Sequence, residues 1–391
     1  EFRRVLSRSD RLQMTPSQQE SILKPAGWMH YRYPFIYGQP DTRQFPLATW
    51  RSAANWLHGG VRDPAWVIDH IDQDVPMLIE QIRTRVLPKR GIVAAPDEIL
   101  ITLGSQNALY LLTRLLLSST TRIGVENPCF REAINTFLLA DAEVVPHPVD
   151  EEGIVLNERP CDYYYVTPGH QVPTGVTMSS ARRRQLLEHA ARHDAVIIED
   201  DYDSESNFTL NPLPALKASD RSGRVVYVSS LSKALSPGLR LGFMVADPDL
   251  IDEARALRRL VYRHPPTNIQ YQMAHFLAQG HYETHLRRYH YDSAQRWERL
   301  HAALQRYLPS CRALAGSEHA NAFWLQTPAQ INTQQLTWRA AHAGVLIEPG
   351  ARHFLSAAPP DNYFRMGFHA INPDAIAQGV EVLRGQLEQM G

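Results

Sequence analysis

Cysteine is scarce: Cys129, Cys161 and Cys311 are the only three in 391 residues, odd in number and far apart. That excludes a disulfide framework and any zinc-ligand spacing, and it fits a reducing compartment. No apolar stretch reaches the length of a membrane-spanning helix, and Glu1-Phe2-Arg3-Arg4-Val5 is unlike a signal peptide. No membrane association is expected, and the cytoplasm is the expected location. Charge of neither sign dominates: 40 Lys plus Arg stand against 41 Asp plus Glu, a net of −1. Such balance gives no general electrostatic pull towards nucleic acid or lipid. Internal repeats and low-complexity segments are also lacking. Position 1 is not Met, so a fragment of a longer chain is expected.

The length exceeds what one compact core of usual size holds. The expected division is an irregular arm or linker over 1–45, a large domain over 46–270 and a small α+β domain over 271–391. Strand patterns at 98–103, 122–126, 142–149, 163–167, 195–200, 224–228 and 239–246 alternate with helical ones at 107–117, 130–139 and 180–193. That alternation predicts an α/β fold with a mostly parallel sheet covered by helices on both faces. After 250 the pattern turns helical, with a long Arg-rich helix at 282–308 and short strands at 322–325, 345–348 and 364–368. Ligands of parallel sheets lie beyond the carboxyl ends of the strands. Gly104, Asp200 and Lys233 all fall at or just after such ends, so three segments are expected to meet at one crevice.

The residues there form a chemical set. Lys233 ends Ser230-Leu231-Ser232-Lys233, just past a strand, with Arg240 seven positions on. Burial and a neighbouring cation lower a lysine pKa enough to leave a nucleophilic amine. Asp200 closes the apolar run Ile197-Ile198-Glu199-Asp200, where a buried carboxylate can hold a protonated ring nitrogen. Asp201 and Asp203 read more simply as acids of a solvent-facing loop. Tyr202 reads either as a donor to a phenolic oxygen or as a packed aromatic. Gly104-Ser105-Gln106 opens a helix and offers backbone N–H groups to a phosphate, with Ser230, Ser232 and Arg240 as further donors. Phe130 reads as a ring-stacking residue or as core. Arg365 is a cation in an apolar strand and pairs with a ligand acid group or with a structural partner. Cys129 reads as a small filler. A lysine amine, phosphate donors and a strand-end aspartate together suit pyridoxal 5′-phosphate.

Over roughly 40–391 these residues resemble fold-type-I pyridoxal-phosphate enzymes of the aminotransferase class I/II family. The stretch Thr167-Pro168-Gly169-His170-Gln171-Val172-Pro173-Thr174-Gly175, with Glu199-Asp200-Asp201-Tyr202-Asp203-Ser204-Glu205 and Pro212-Leu213-Pro214-Ala215-Leu216-Lys217, further resembles the MocR/GabR regulators. In those an aminotransferase-like domain follows a GntR-type winged helix-turn-helix and senses an effector. The resemblance implies that Lys233 forms the internal aldimine. Asp200 holds the ring nitrogen, and Tyr202 the phenolic oxygen. Ser105, Gln106, Ser230, Ser232 and Arg240 hold the phosphate, and Arg365 binds an effector or substrate carboxylate.

Three departures from the family pattern stand out. The asparagine usual before Pro-Thr-Gly is Val172, so His170 or Gln171 takes its place or its bond is missing. The family's Tyr-Gly-Asp-Pro is Val61-Arg62-Asp63-Pro64, with Arg62 a candidate for the phosphate contact across the dimer. Arg131 comes one position after Phe130, where the regulators have an arginine two after, and is a candidate ligand contact.

Two functions follow. One is the effector-sensing and dimerisation part of a MocR-type regulator, a homodimer that binds a small amino compound as an external aldimine. It would contact DNA only through an N-terminal helix-turn-helix domain, for which 45 residues leave no room. The other is a stand-alone aminotransferase acting on an amino acid or ω-amino acid, with partial or slow transamination expected.

Overall fold

In a computed structural model, the structure describes residues 12, 14–22, 24–60, 65–69, 73–157, 159–208, 212–314 and 320–390. Val61-Arg62-Asp63-Pro64 lies outside them. The first half contains, in chain order, β1 (Tyr33–Pro34), α1 (Leu47–Gly60), α2 (Pro76–Gln81), β2 (Ile99–Thr102), α3 (Ser105–Leu116), β3 (Arg122–Asn127), α4 (Arg131–Leu138), β4 (Glu143–Asp150), β5 (Gly153–Ile154), β6 (Tyr163–Val166) and α5 (Ser180–Arg192). The second contains β7 (Val196–Asp201), β8 (Val225–Ser230), β9 (Gly242–Val245), α6 (Pro248–Val261), α7 (Thr267–Ala278), α8 (His281–Tyr307), β10 (Arg312–Ala313), β11 (Ala322–Gln326), α9 (Thr333–His342), β12 (Val345–Leu346), β13 (Glu348–Pro349), β14 (Tyr363–Gly367) and α10 (Ile376–Glu388).

Eight strands form the central sheet in the order β2-β9-β8-β7-β6-β3-β4-β5. The run β8, β7, β6, β3, β4 is parallel, β9 is antiparallel to both neighbours, and β5 is an antiparallel edge. The period-2 alternation of side chains divides the sheet between two cores. Leu100, Ile198, Val226 and Val228 pack with α3, α4 and α6 on one face. Ile99, Ile101 and Tyr227 pack with α2 and α7 on the other, where Ile197 and Val225 meet α5. Helices on both faces explain why β7 and β8 open on unbroken apolar runs, residues 196–198 and 225–228, instead of alternating from the start.

Beyond the long helix α8, an antiparallel sheet β10-β11-β14-β13 packs against α9 and α10. The segment before α1 takes part in this core. Tyr33 and Pro34 pair in parallel with Val345 and Leu346, and Phe35 is fully buried. That pairing fixes the direction in which Tyr37 and Gly38 leave the strand, and they enter the cavity described next. Among the described residues, no helix is long and apolar enough to cross a membrane.

Candidate active site

A cavity of about 350 Å³ opens at the carboxyl ends of the strands and reaches β13 and β14. Gly104, Asp200 and Lys233 all line it, as do Ser105, Gln106, Phe130, Tyr202, Ser230, Ser232, Arg240 and Arg365. The size suits a cofactor-scale ligand.

Asp200 reaches the cavity through strand alternation. Glu199 and Asp201 project to the opposite face of β7 and are fully engaged there. Glu199 accepts from the backbone N–H groups of Leu216 (2.7 Å) and Lys217 (2.8 Å). Asp201 accepts from Arg90 Nε at 2.7 Å and from Tyr227 Oη at 2.8 Å. Asp200 Oδ2 accepts from Tyr165 Oη at 2.9 Å, and among the described residues no group is within hydrogen-bond geometry of its buried Oδ1. Burial, against the Tyr165 bond and aided by Asp201, pushes its carboxyl up to about 7. A buried carboxylate with one oxygen free is a site for a donor the protein itself does not supply. The expectation that Asp201 and Asp203 face solvent is corrected: both are buried. Arg90 and Tyr227 hold the first, and Asn321 and His170 hold the second.

Lys233 stands on the loop between β8 and β9. Leu231 N–H donates to the Leu241 carbonyl at 3.0 Å, and Ser232 Oγ both accepts from Leu241 N–H (2.7 Å) and donates to its carbonyl (2.9 Å). These bonds close the neck of the loop and leave Lys233 and Arg240 facing the cavity. They also commit the Ser232 proton to the protein, so this serine pins the loop. Lys233 Nζ lies 4.2 Å from the centroid of the Tyr37 ring and 4.8 Å from that of Tyr202. Burial lowers its pKa to about 8; Asp203 and Asp200 oppose this, while Arg365 and Lys24 add to it.

The other end of the site is built for an anion. Helix α3 begins at Ser105 after Gly104, an N-cap residue with no side chain to cap the first N–H groups. Gly104 has φ +83°, and a Cβ there would stand 3.0 Å from Arg240 Nη2. Arg240 donates to the Leu103 carbonyl at 2.9 Å and so lies across this turn. Gly242 completes the fit, since a Cβ on it would meet the Gly104 backbone at 2.7 Å. Free N–H groups, the hydroxyls of Ser105 and Ser230 and one guanidinium converge on a single region.

Three predicted residues do not line this cavity. Gln171 is consumed by the scaffold: Nε2 donates to the carbonyls of Pro128 (2.8 Å) and Val172 (2.6 Å), and Oε1 accepts from Thr174 N–H (3.1 Å) and Oγ1 (2.6 Å). His170 sits behind Tyr202, with Nδ1 3.4 Å from Asp203 Oδ2, and its carbonyl accepts the Tyr202 hydroxyl at 3.1 Å. Arg131 turns to Glu20, 3.7 Å away. The asparagine-equivalent wall is Val172 itself, which lines the cavity with an apolar side chain. Arg365 shows both features considered for it. It borders the cavity, and its Nη1 is 3.3 Å from Glu348 Oε1 while, among the described residues, its buried Nε has no partner. Glu348 also meets His353 Nε2 at 3.0 Å. Burial raises the Glu348 pKa, but Arg365 and His353 outweigh it and hold the group at about 2. Cys129 is buried, and burial pushes its thiol up to about 12, as suits a filler.

Tyr37, Gly38, Lys24 and Glu348 also line the cavity, and no local pattern marked them. Tyr37 lies against Arg365, whose Cζ is 3.5 Å from the ring centroid. An aromatic three residues beyond a Tyr-Pro strand is the one faint signal for Tyr37.

Residues 72–382 match the family model described as aminotransferase class I and II. The chain belongs to that family. The HTH-type transcriptional regulator TauR of Rhodobacter capsulatus is 39% identical over 90% of this chain and 72% of its own length. The probable rhizopine catabolism regulatory protein MocR of Rhizobium meliloti is 33% identical over the same shares. Among solved structures, the α-aminoadipate aminotransferase LysN of Thermus thermophilus, complexed with N-(5′-phosphopyridoxyl)-L-leucine, superposes with a TM-score of 0.83. It is 26% identical, with 97% of this chain and 96% of that one covered. The aminotransferase class I and II family brings its cofactor, pyridoxal 5′-phosphate, and the cavity fits it. The unpartnered Asp200 Oδ1 suits a protonated ring nitrogen, the uncapped α3 start suits the phosphate, and the Lys233 amine suits the aldehyde.

Proposed function

We propose that this chain is the effector-sensing and dimerisation part of a MocR/TauR-type transcriptional regulator. It works as a homodimer, binds pyridoxal 5′-phosphate and takes a small amino compound. DNA contact belongs to a helix-turn-helix part of the kind the relatives' names state. The division into a large part over 46–270 and a small part from 271 is proposed with it.

The observation that carries this reading is Val172 at the cavity wall. The residues that would bind the cofactor line the cavity, yet Val172, where the family pattern has asparagine, would offer its phenolic oxygen no hydrogen bond. Gln171 cannot compensate, because its amide is spent on Pro128, Val172 and Thr174. Tyr202 gives its proton to the His170 carbonyl. Such a site holds a ligand better than it tunes a reaction, and the regulators TauR and MocR stand among the relatives.

When bound, the cofactor supplies an aldehyde that captures primary amines and a ring that withdraws electrons. The protein's own part is to present and orient. Asp200 would offer an anionic oxygen to the ring nitrogen, and Phe130 would supply an apolar face for the ring. Ser105, Gln106, Ser230 and Arg240 would hold the phosphate, with Ser232 fixing the loop. Burial lowers the Lys233 pKa to about 8, which brings its neutral, nucleophilic form within reach near neutral pH. Arg365 anchors the acid group of the incoming amine.

The test is turnover with an amino donor and a keto acid. At most about one product per subunit over hours is expected. Sustained cycling would replace this reading with that of an aminotransferase.

A further inference from the structure

We infer that Lys24, on the arm ahead of the sheet, is a second cation for the acid group of the ligand, so that ligand binding fastens the arm over the cavity. This rests on reading the cavity as an amino-compound site. The ligand class is a short primary amine carrying a carboxylate or sulfonate.

Lys24 lines the same cavity as Arg365 and Tyr37. Its Nζ lies 3.2 Å from the point a Cβ on Gly38 would occupy, and Lys233 Nζ lies 3.7 Å from that point. The two amines thus flank one spot above Gly38. Lys24 feels the Glu348 carboxylate, but that group is already held by Arg365 and His353. Lys24 and Arg365 therefore lie in the field of the same carboxylate, which pairs with Arg365. Arg365 is 95% buried and, among the described residues, its Nε has no acceptor. A buried donor left unmatched beside surplus positive charge is the complement of an anionic ligand group. Lys233 Nζ and Arg365 Cζ both lie within 4.2 Å of the Tyr37 ring centroid, so a ligand that spans them is short.

The arm is set to respond because polar contacts hold it. Gln19 Nε2 donates to the Asn135 carbonyl at 3.1 Å, and Asn135 Nδ2 to the Glu20 carbonyl at 2.6 Å. Arg352 donates to the Ser21 carbonyl at 2.7 Å, and Ile22 N–H to Glu132 at 3.4 Å. Segments held this way open at low free-energy cost. An anion gripped by both Lys24 and Arg365 adds a tie between the arm and β14 that exists only when ligand is bound.

The experiment uses the full chain loaded with pyridoxal 5′-phosphate and two probes, β-alanine and n-propylamine, which differ by the acid group. Absorbance of the cofactor reads binding, and hydrogen exchange over residues 14–30 reads the arm. β-Alanine should slow exchange there severalfold, and n-propylamine should not. Lys24→Ala should weaken β-alanine about tenfold, the scale of one charge-assisted hydrogen bond. It should leave n-propylamine unchanged and remove the protection, while Lys24→Arg retains both. Equal effects of Lys24→Ala on the two probes, no effect on either, or protection that survives the substitution would overturn the inference alone. If neither probe alters the wild-type absorbance, the reading of the cavity as an amine site falls, and this inference with it.

Discussion

Asp200→Asn removes a charge and almost nothing else. The amide oxygen can still accept from Tyr165 Oη, now 2.9 Å from the carboxylate. In the cofactor-free protein the carboxyl titrates at about 7, raised from 3.8 chiefly by burial. The unfolded chain loses this proton near pH 4, whereas the folded chain keeps it to about pH 7. Stability therefore falls as pH climbs through that window, and the full penalty, about 4 kcal/mol, is present above it. The asparagine variant escapes the penalty. Without cofactor at pH 8 it should melt above the wild type, by about 5 °C for a chain of this length. The gap should shrink as pH falls towards 5. With cofactor the order reverses, because only a carboxylate compensates a protonated ring nitrogen, so the wild type should gain more on loading. Thermal melts of free and loaded protein between pH 5 and 8 measure this. A cofactor-free variant no more stable than wild type at pH 8, or a gap independent of pH, would refute the reasoning.

Gln171→Leu should lower stability by about 2–3 kcal/mol, from buried bonds lost to Pro128, Val172 and Thr174, while cofactor absorbance stays unchanged. A folded but colourless variant would return Gln171 to the site. Arg240→Ala should weaken cofactor retention about tenfold in equilibrium dialysis; unaltered retention would remove Arg240 from the phosphate region. The rate of cofactor capture by Lys233 should rise with pH to a midpoint near 8 and level off above it, since the neutral amine is the reactive form. A midpoint near 10.5 would mean that the amine is solvated.

The half of the site that comes from the sheet was legible because strand periodicity is local. An apolar run of strand length predicts its own carboxyl end, and ligands gather there, so Gly104, Asp200 and Lys233 could be grouped from sequence. Alternation along β7 separates Asp200 from Glu199 and Asp201, but the partners that bury Asp201 are Arg90 and Tyr227, distant in the chain. Nothing near Asp201 announces them, and it read as a loop acid. The bonds that Gln171 and Ser232 make are hidden from the sequence for a similar reason. A polar side chain next to a site is a donor until its bonds are counted, and both are spent on nearby backbone. Tyr37 and Lys24 belong to a stretch without repeating pattern; the pairing of Tyr33 with Val345 places the first, and contacts of residues 19–21 with Asn135 and Arg352 hold the segment before the second. Arg365 carried a signal, a cation in an apolar strand. Its pairing with Glu348 follows from β13–β14 register, which short strands do not reveal.

The central claim is that Lys233 carries the cofactor and yields it to an amino ligand. Borohydride reduction of the loaded protein followed by peptide mapping tests it directly. The cofactor mass should be found on the peptide containing Lys233, and excess β-alanine added before reduction should remove it from that peptide. A mass on another lysine, Lys24 included, or one on Lys233 that β-alanine leaves in place, would contradict the account.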